Sequence, residues 1–169
     1  MPELSESQAR AIMADFHDDP QRLIAILLDI QEASGANRVE KKSALLVSET
    51  LGVPLTRIYE ILTFYSMFSL APRGKYLVEA CESAPCHFDG GETTLSHLAD
   101  ILGVSPGETT ADGLFTLEKS ACFGACGHGG AFKIGDEAYR GGSRNQIASV
   151  IRSYRENSPR LREGLAWLY

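Results

Sequence analysis

Four cysteines carry the clearest chemical pattern in this sequence, because they come as two close pairs. Cys81 and Cys86 have four residues between them, and Cys122 and Cys126 have three. Thirty-five residues separate the two pairs. Thiolates at short spacing are ligands that iron–sulfur clusters and zinc ions take in proteins. The pattern therefore predicts a metal centre held by two segments of the chain.

Small residues dominate the segments around both pairs. The first pair encloses Glu82-Ser83-Ala84-Pro85, the second encloses Phe123-Gly124-Ala125, and Gly127, Gly129 and Gly130 follow. A backbone with few bulky side chains can approach a cluster closely enough for its N–H groups to donate hydrogen bonds to sulfur. A [2Fe–2S] cluster takes two thiolates on each iron, and two short pairs supply them. We therefore predict one [2Fe–2S] cluster on Cys81, Cys86, Cys122 and Cys126.

Other cysteine chemistries fit the pattern less well. Structural zinc sites usually carry tighter Cys-x2-Cys pairs, but zinc remains an open alternative. A Rieske centre needs one cysteine and one histidine from each of two loops, and only Cys126-Gly127-His128 imitates one of them. A thioredoxin-like dithiol would need Cys-x-x-Cys, which is absent from the sequence. Four unrelated buried cysteines would not be expected as two pairs flanked by glycine.

Two histidines lie beside the predicted ligands. His87 follows Cys86 directly, and His128 lies two residues after Cys126. Each could tune a cluster through a hydrogen bond or by titrating with reduction, or could simply be a partly exposed loop residue. We expect His17 and His97 to be ordinary surface positions.

The composition is that of a soluble globular protein. The 169 residues are 44% hydrophobic and 22% charged, with a formal net charge of −6. An acidic chain is unsuited to a nucleic-acid surface. No apolar run approaches the roughly 20 residues that a membrane-spanning helix needs, and the first residues contain no secretory signal. We therefore expect a cytoplasmic protein with no membrane insertion, in which paired cysteines seldom form disulfides.

The first part of the chain is predicted to be helical. Ser5 and Gln8 fit a capping box, and Gly35 and Gly52 are suited to helix ends. Four short helices with small loops predict a bundle, residues 1–72, which we interpret as a packing or docking unit without chemistry. The predicted helices cover about 5–16, 23–30, 41–51 and the segment from Pro54 to Phe68.

The second part, residues 73–157, is predicted to position the cysteines. The strand 75–80 leads into Cys81, and the strand 114–119 leads towards Cys122, so neighbouring strands ending at one sheet edge would bring the pairs together. A helix capped by Thr93 or Thr94 lies between these strands, a hairpin turns at Gly135-Asp136, and a helix covers 144–154. The β-α-β-β-α order indicates a thioredoxin-like sheet. The predicted fold class is thus α+β, a helical bundle followed by this domain.

A C-terminal tail, residues 158–169, follows the predicted domain. It carries Leu161, Leu165, Trp167 and Leu168 but little capping chemistry. An exposed apolar cluster of this size favours contact with another subunit, although the tail could equally fold back on the bundle.

The sequence resembles the thioredoxin-like [2Fe–2S] ferredoxin family typified by the 24 kDa subunit of respiratory complex I. The same family supplies small subunits to NAD-linked or electron-bifurcating hydrogenases and to formate dehydrogenases. The resemblance covers roughly 20–155 and rests on Val53–Phe68, Cys81-x4-Cys86 and Cys122-Phe123-Gly124-Ala125-Cys126. The segment 127–134 departs from the family, which commonly has small residues and proline there.

The resemblance implies a non-catalytic electron-transfer subunit of a multi-subunit NAD(H)-dependent oxidoreductase. Its partner would be a larger iron–sulfur subunit that binds FMN and NAD, with further redox subunits beyond it. This chain has no Gly-x-Gly-x-x-Gly fingerprint of its own for a dinucleotide. A zinc-stabilised interaction module and a free-standing ferredoxin remain the alternative functions.

Overall fold

A computed structural model describes residues 4–156, except for the side chain of His128. The chain divides between Arg73 and Gly74 into an N-terminal unit and a C-terminal unit. The tail, with Leu161, Leu165, Trp167 and Leu168, lies outside the described residues. Within the described part, no helix is both long enough and apolar enough to span a membrane.

Among residues 4–73, which the structure describes, the N-terminal unit contains four α-helices, as the sequence predicted. Ser5 and Gln8 make the expected capping box, and Gly52 ends the third helix in a left-handed conformation, with φ 65°. A 3₁₀ turn, Pro20–Arg22, precedes the second helix. The helices are α1 Glu6–Asp15, α2 Leu23–Ala33, α3 Lys41–Leu51 and α4 Leu55–Phe64.

Apolar side chains from all four helices form the core of this unit. The helix α2 is apolar on most of its surface and contributes more fully buried residues than its neighbours. This packing, more than helix propensity, stabilises four helices that would be marginal as isolated peptides. The fully buried side chains are Met13, Ile26, Leu27, Ile30, Val47 and Ile58.

The fourth helix ends earlier than predicted. It stops at Phe64, and Tyr65 is already extended. The Gln31 Nε2 donates a hydrogen bond to the Met67 carbonyl at 2.9 Å, and the Ser69 N–H donates to Gln31 Oε1 at 2.8 Å. Phe68 is still buried, 4% exposed. The helical spacing therefore indicated the burial of Phe68 correctly, but not that of Tyr65, which is 37% exposed, and not the secondary structure of this segment.

Within residues 74–156, the described part of the C-terminal unit, four strands form a mixed sheet with helices. In chain order the elements are β1 Tyr76–Cys81, α5 Ala84–Cys86, α6 Glu92–Leu102, β2 Phe115–Ser120, β3 Phe132–Ile134, β4 Glu137–Tyr139 and α7 Arg144–Glu156. The strand order is β2-β1-β3-β4. The strands β1 and β2 are parallel, while β3 pairs antiparallel with both β1 and β4. The predicted β-α-β-β-α order and the α+β class are confirmed.

The parallel register places the ends of β1 and β2 side by side. Tyr76 pairs with Phe115 at one end, and Cys81 pairs with Ser120 at the other. Because a crossover containing α6 connects two parallel strands, both strands point to the same sheet edge. The two cysteine-bearing segments leave the sheet at this edge.

The helix α6 begins one residue earlier than predicted, without a threonine cap. It starts at Glu92, directly after a wide turn over His87–Gly91, and no side chain caps it. The turn already supplies helical geometry at Gly91, so Thr93 and Thr94 lie inside the first turn of the helix. Gly103 ends α6 in a left-handed conformation, with φ 70°, as expected.

Candidate metal centre

The first cysteine pair is buried at and just after the end of β1, an interior strand of the sheet. Cys81 is the last residue of β1 and Cys86 the last residue of α5, so neither lies in an open loop as the sequence had suggested. Their exposed fractions are 5% and 1%. The Cys81 N–H donates to the Ala131 carbonyl at 3.1 Å, which extends the contact between β1 and β3 beyond the regular ladder.

The second pair lies in the loop that follows β2 and is exposed. Cys122 comes two residues after the strand, and Cys126 begins a 3₁₀ turn, Cys126–His128. The two Sγ atoms are 3.2 Å apart, and the Gly124 N–H donates to Cys122 Sγ at 3.4 Å. Gly124 has φ 89°, a conformation that side chains disfavour, and this bend returns the chain to Cys126.

The pKa values of Cys86, Cys122 and Cys126 depend on neighbours in both cysteine pairs. Burial, followed by a hydrogen bond with Cys81, raises the pKa of Cys86, and Cys122 adds a charge effect. The hydrogen bond with Cys122 raises the pKa of Cys126, and Cys86 and Cys81 act on it through charge. The Gly124 N–H and then Cys126 lower the pKa of Cys122. Each pair is thus within electrostatic range of the other.

A small apolar cluster surrounds the buried pair. Cys81 and Cys86 pack with Ala131, and Phe123 and Ala125 cover this cluster from the second loop. The side chains of the second loop therefore touch the residues around the first pair.

The donor set fits a [2Fe–2S] cluster. Four thiols come as two pairs, the Gly124 N–H donates a hydrogen bond to Cys122 Sγ, and a hydrogen bond with the Ala131 backbone opposes the rise in the pKa of Cys86. Within residues 4–156, no three Cys, His, Asp or Glu side chains surround one point as the ligands of a single metal ion would. A binuclear cluster does not need that arrangement, because each iron takes only two protein sulfurs.

Sequence reasoning missed a charged pair beside the site. Lys133 on β3 lies opposite Glu79 on β1, and its Nζ is 2.7 Å from a Glu79 carboxylate oxygen. The same Nζ lies 5.9 Å from the ring centroid of Phe123, within cation–π range. This ion pair follows from the register of β1 and β3, which could not be derived from the sequence.

The expectations for the four histidines have different outcomes. His87 is exposed, and its ring lies edge-on to Phe88 at 5.6 Å, while the side chain of His128 is not described. His17 is exposed, as predicted. The expectation for His97 was wrong, because it is half-buried and its Nδ1 is buried without a hydrogen-bond partner among the described residues.

Known proteins match the chain over most of its length. An NADH-quinone oxidoreductase subunit from Aquifex aeolicus (strain VF5) is 32% identical over 136 residues, 80% of this chain and 85% of that protein. The corresponding protein of Pseudomonas aeruginosa is 30% identical over 154 residues, 89% and 92% of the two chains. Its counterpart in Rhizobium meliloti (strain 1021) is 35% identical over 109 residues, only 65% of that protein's length.

A solved structure and a family model agree with these relatives. The chain superposes on an air-oxidised NAD⁺-reducing [NiFe]-hydrogenase with a TM-score of 0.72 and 20% identity, covering 88% of this chain and 25% of that one. This match shows the fold. The model of the thioredoxin-like [2Fe-2S] ferredoxin family matches residues 9–155. The resemblance identified from the cysteine pattern is confirmed, and the chain belongs to the thioredoxin-like [2Fe–2S] ferredoxin family.

Proposed function

We propose that this chain is an electron-transfer subunit with one [2Fe–2S] cluster on Cys81, Cys86, Cys122 and Cys126. The observation that carries the proposal is that both cysteine-bearing segments follow adjacent parallel strands at the same sheet edge, where Phe123 and Ala125 of the second loop pack against Cys81 and Cys86. Family membership supports the cluster type, and the pairing of thiols supplies two ligands for each iron.

The residues around the thiols are suited to holding a negatively charged group. The Gly124 N–H points at Cys122, and the Ala131 N–H interacts with Cys86. Such donors stabilise thiolate charge and set the reduction potential, together with burial. A [2Fe–2S] cluster, when bound, exchanges single electrons. Cys81 and Cys86 would hold the cluster at a buried position, while the exposed Cys122 and Cys126 would hold it within reach of a redox partner.

The partner we propose is a larger subunit that binds FMN and NAD(H), in a cytoplasmic complex with further redox subunits. The names of the relatives, which are subunits of NADH-quinone oxidoreductases, support this assignment. The N-terminal unit also exposes apolar side chains near the end of α4, with Phe64 80%, Met67 47% and Leu70 43% exposed. An apolar surface of this kind marks a protein contact.

Metal analysis of the anaerobically purified chain tests the cluster assignment. We expect about two irons and two acid-labile sulfides per chain, together with a thiolate-to-iron absorption band. Stoichiometric zinc without colour would refute the proposal and leave a zinc-stabilised interaction module. Replacing each of the four cysteines by serine should lower iron retention, whereas replacing the exposed Ser149 by alanine should not.

Co-purification from the native source tests the partner. We expect a flavoprotein that oxidises or reduces NAD(H) to accompany the chain. A monomeric holoprotein that transfers electrons to several unrelated enzymes would instead identify a free-standing ferredoxin.

A further inference from the structure

A glycine outside both cysteine pairs lies where three segments of the C-terminal unit meet: its own segment, the loop after Cys126 and the first turn of α6. Gly141 belongs to the segment between β4 and α7, fifteen residues after Cys126. Its N–H donates a hydrogen bond to the Gly129 carbonyl at 3.2 Å. Gly129 and Gly130 lie three and four residues after Cys126, so this bond ties the second loop to the segment that precedes α7.

Gly141 has no room for a side chain. A Cβ atom there would lie 2.5 Å from the Gly130 carbonyl oxygen, 2.6 Å from the Gly129 carbonyl oxygen and 2.5 Å from Thr94 Oγ1. Two of these atoms belong to the backbone and cannot rotate away. Because φ of Gly141 is not positive, the restriction is one of space alone.

The three contacts join both cysteine-bearing segments. Gly130 lies in the loop after the second pair, while Thr94 lies in the first turn of α6, which follows the first pair through the turn His87–Gly91. Thr94 is 3% exposed, so its position is fixed by packing. The absence of a side chain at Gly141 therefore allows the second loop to pack closely against α6, the helix that follows the first pair.

We propose that Gly141 is a positioning residue, which sets the separation of the two thiol pairs by allowing the second loop to pack against α6. This inference rests on the proposed cluster. A larger residue would push the loop after Cys126 away from α6 and would alter how the four sulfurs hold their two irons. The effect would reach the site through packing, because Gly141 is not itself a ligand.

Two other glycines of the same unit provide controls. Gly142 is the next residue. A Cβ there would have one contact shorter than 3.4 Å, with Oε1 at the flexible end of the Gln146 side chain. Gly135, in the β3–β4 turn, has φ 59° and nothing within 4 Å of a Cβ, so alanine there adds backbone strain without a new contact. Together they separate a clash at the loops from general destabilisation.

The experiment compares Gly141→Ala with Gly142→Ala and Gly135→Ala in the full-length chain, each reconstituted anaerobically with iron and sulfide. Iron loss to EDTA, the electron paramagnetic resonance spectrum after dithionite reduction and the midpoint potential are measured. We expect Gly141→Ala to lose iron about tenfold faster with an altered spectrum and potential, and both controls to stay within about twofold of the parent. The spectrum and the potential report on the cluster environment and would not change if Gly141 affected only overall stability.

Each remaining outcome is decisive. Parental iron loss, spectrum and potential for Gly141→Ala would overturn the positioning role while leaving the proposed function intact. Equal changes in all three variants would also overturn it. Loss of the helical circular-dichroism signal of apo Gly141→Ala would overturn it too, because Gly141 would then be required for folding. If the parent itself takes up no iron–sulfur cluster, the proposed function fails and this inference fails with it.

Discussion

The contact between Lys133 and Glu79 shows how one side chain connects the sheet to the metal centre. Both residues are largely shielded, with exposed side-chain fractions of 28% and 17%, and their charged atoms are 2.7 Å apart. Lys133 also lies over the ring of Phe123, the neighbour of Cys122. Removing one partner of a shielded pair leaves an uncompensated charge, which costs more than losing a pair at the surface.

We therefore predict that Lys133→Met lowers the free energy of unfolding of the apo-protein by about 1–2 kcal/mol. Lys119→Met is the matched control, because the ion pair between Lys119 and Glu82 is exposed and 3.7 Å long. It should cost less than about 0.5 kcal/mol. Urea unfolding followed by circular dichroism measures both values. Equal costs for the two variants would contradict the role given to Lys133.

At this scale the sequence indicates which cysteines are candidate ligands but not what surrounds them. Cysteine is recognisable by type and spacing, so Cys81, Cys86, Cys122 and Cys126 could be selected without coordinates. Lys133 is an unremarkable strand residue until the register pairs it with Glu79. Gly141 likewise becomes informative only when the fold brings the loop after Cys126 and the first turn of α6 against it.

Between elements, a buried hydrogen bond joins the edge strand β4 to the helix α7. The hydroxyl groups of Tyr139 and Tyr154 are 2.8 Å apart. Burial raises the pKa of both phenols, so both stay protonated at physiological pH. A buried hydroxyl left without its partner costs more than the pair contributes, because it has lost its water.

We predict that Tyr154→Phe destabilises the apo-protein by about 1 kcal/mol. The double variant Tyr139→Phe/Tyr154→Phe should be more stable than the sum of the two single changes implies, since no orphaned hydroxyl remains. Thermal or urea unfolding of the four proteins completes the cycle. Strict additivity would show that the two hydroxyls contribute independently.

Asp112, in the turn before β2, makes the stability of the C-terminal unit depend on pH in the acidic range. Thr110 Oγ1 donates to the Asp112 carboxylate, the Leu114 N–H donates at 3.0 Å, and Arg155 lies 3.7 Å away. These contacts, led by the Thr110 hydrogen bond, lower the pKa of Asp112 against a smaller opposing effect of burial. Because the pKa is lower in the folded state, the ionised carboxylate stabilises the fold at pH values above the pKa of the unfolded state, which is about 4. This stabilisation is lost as the pH falls through the folded-state pKa.

Asp112→Asn should therefore destabilise the apo-protein near neutral pH and lose progressively less stability, relative to the parent, between about pH 5 and pH 3. Asp136→Asn is the control, because Asp136 has no hydrogen bond or ion pair within the described residues. Unfolding midpoints measured across this pH range provide the comparison. A constant difference between Asp112→Asn and the parent would contradict the assignment.

The helices and strands were largely predictable because their signals are local. Ser5 with Gln8 and the glycines after α3 and α6 mark helix ends through short-range hydrogen bonds and backbone geometry. The errors arose where distant contacts decided the structure. Gln31 of α2 bonds the non-helical backbone of Met67 and Ser69 beyond the end of α4, and the turn before α6 replaces the expected threonine cap.

For the molecule as a whole, the domain limits predicted from the sequence remain a proposal with a direct test. Contacts within the chain define two units that meet at Arg73 and Gly74, and each has its own hydrophobic core. All four cysteines belong to the second unit. A chain of residues 74–169 should therefore fold cooperatively and take up about two irons without the N-terminal unit.

The complementary fragment, residues 1–73, is the control and should fold without binding iron. Circular dichroism and iron analysis of both fragments provide the measurement. A fragment 74–169 that unfolds alone, or that loads iron only after residues 1–73 are added back, would show that the two units do not fold independently.

X-ray absorption at the iron edge of the anaerobically purified full-length chain tests the central claim most directly. If the two cysteine pairs hold one binuclear cluster, each iron has four sulfur neighbours and a second iron close by, and serine at Cys81, Cys86, Cys122 or Cys126 disturbs that shell. Iron with nitrogen or oxygen ligands and no neighbouring iron, or zinc in its place, would contradict the account.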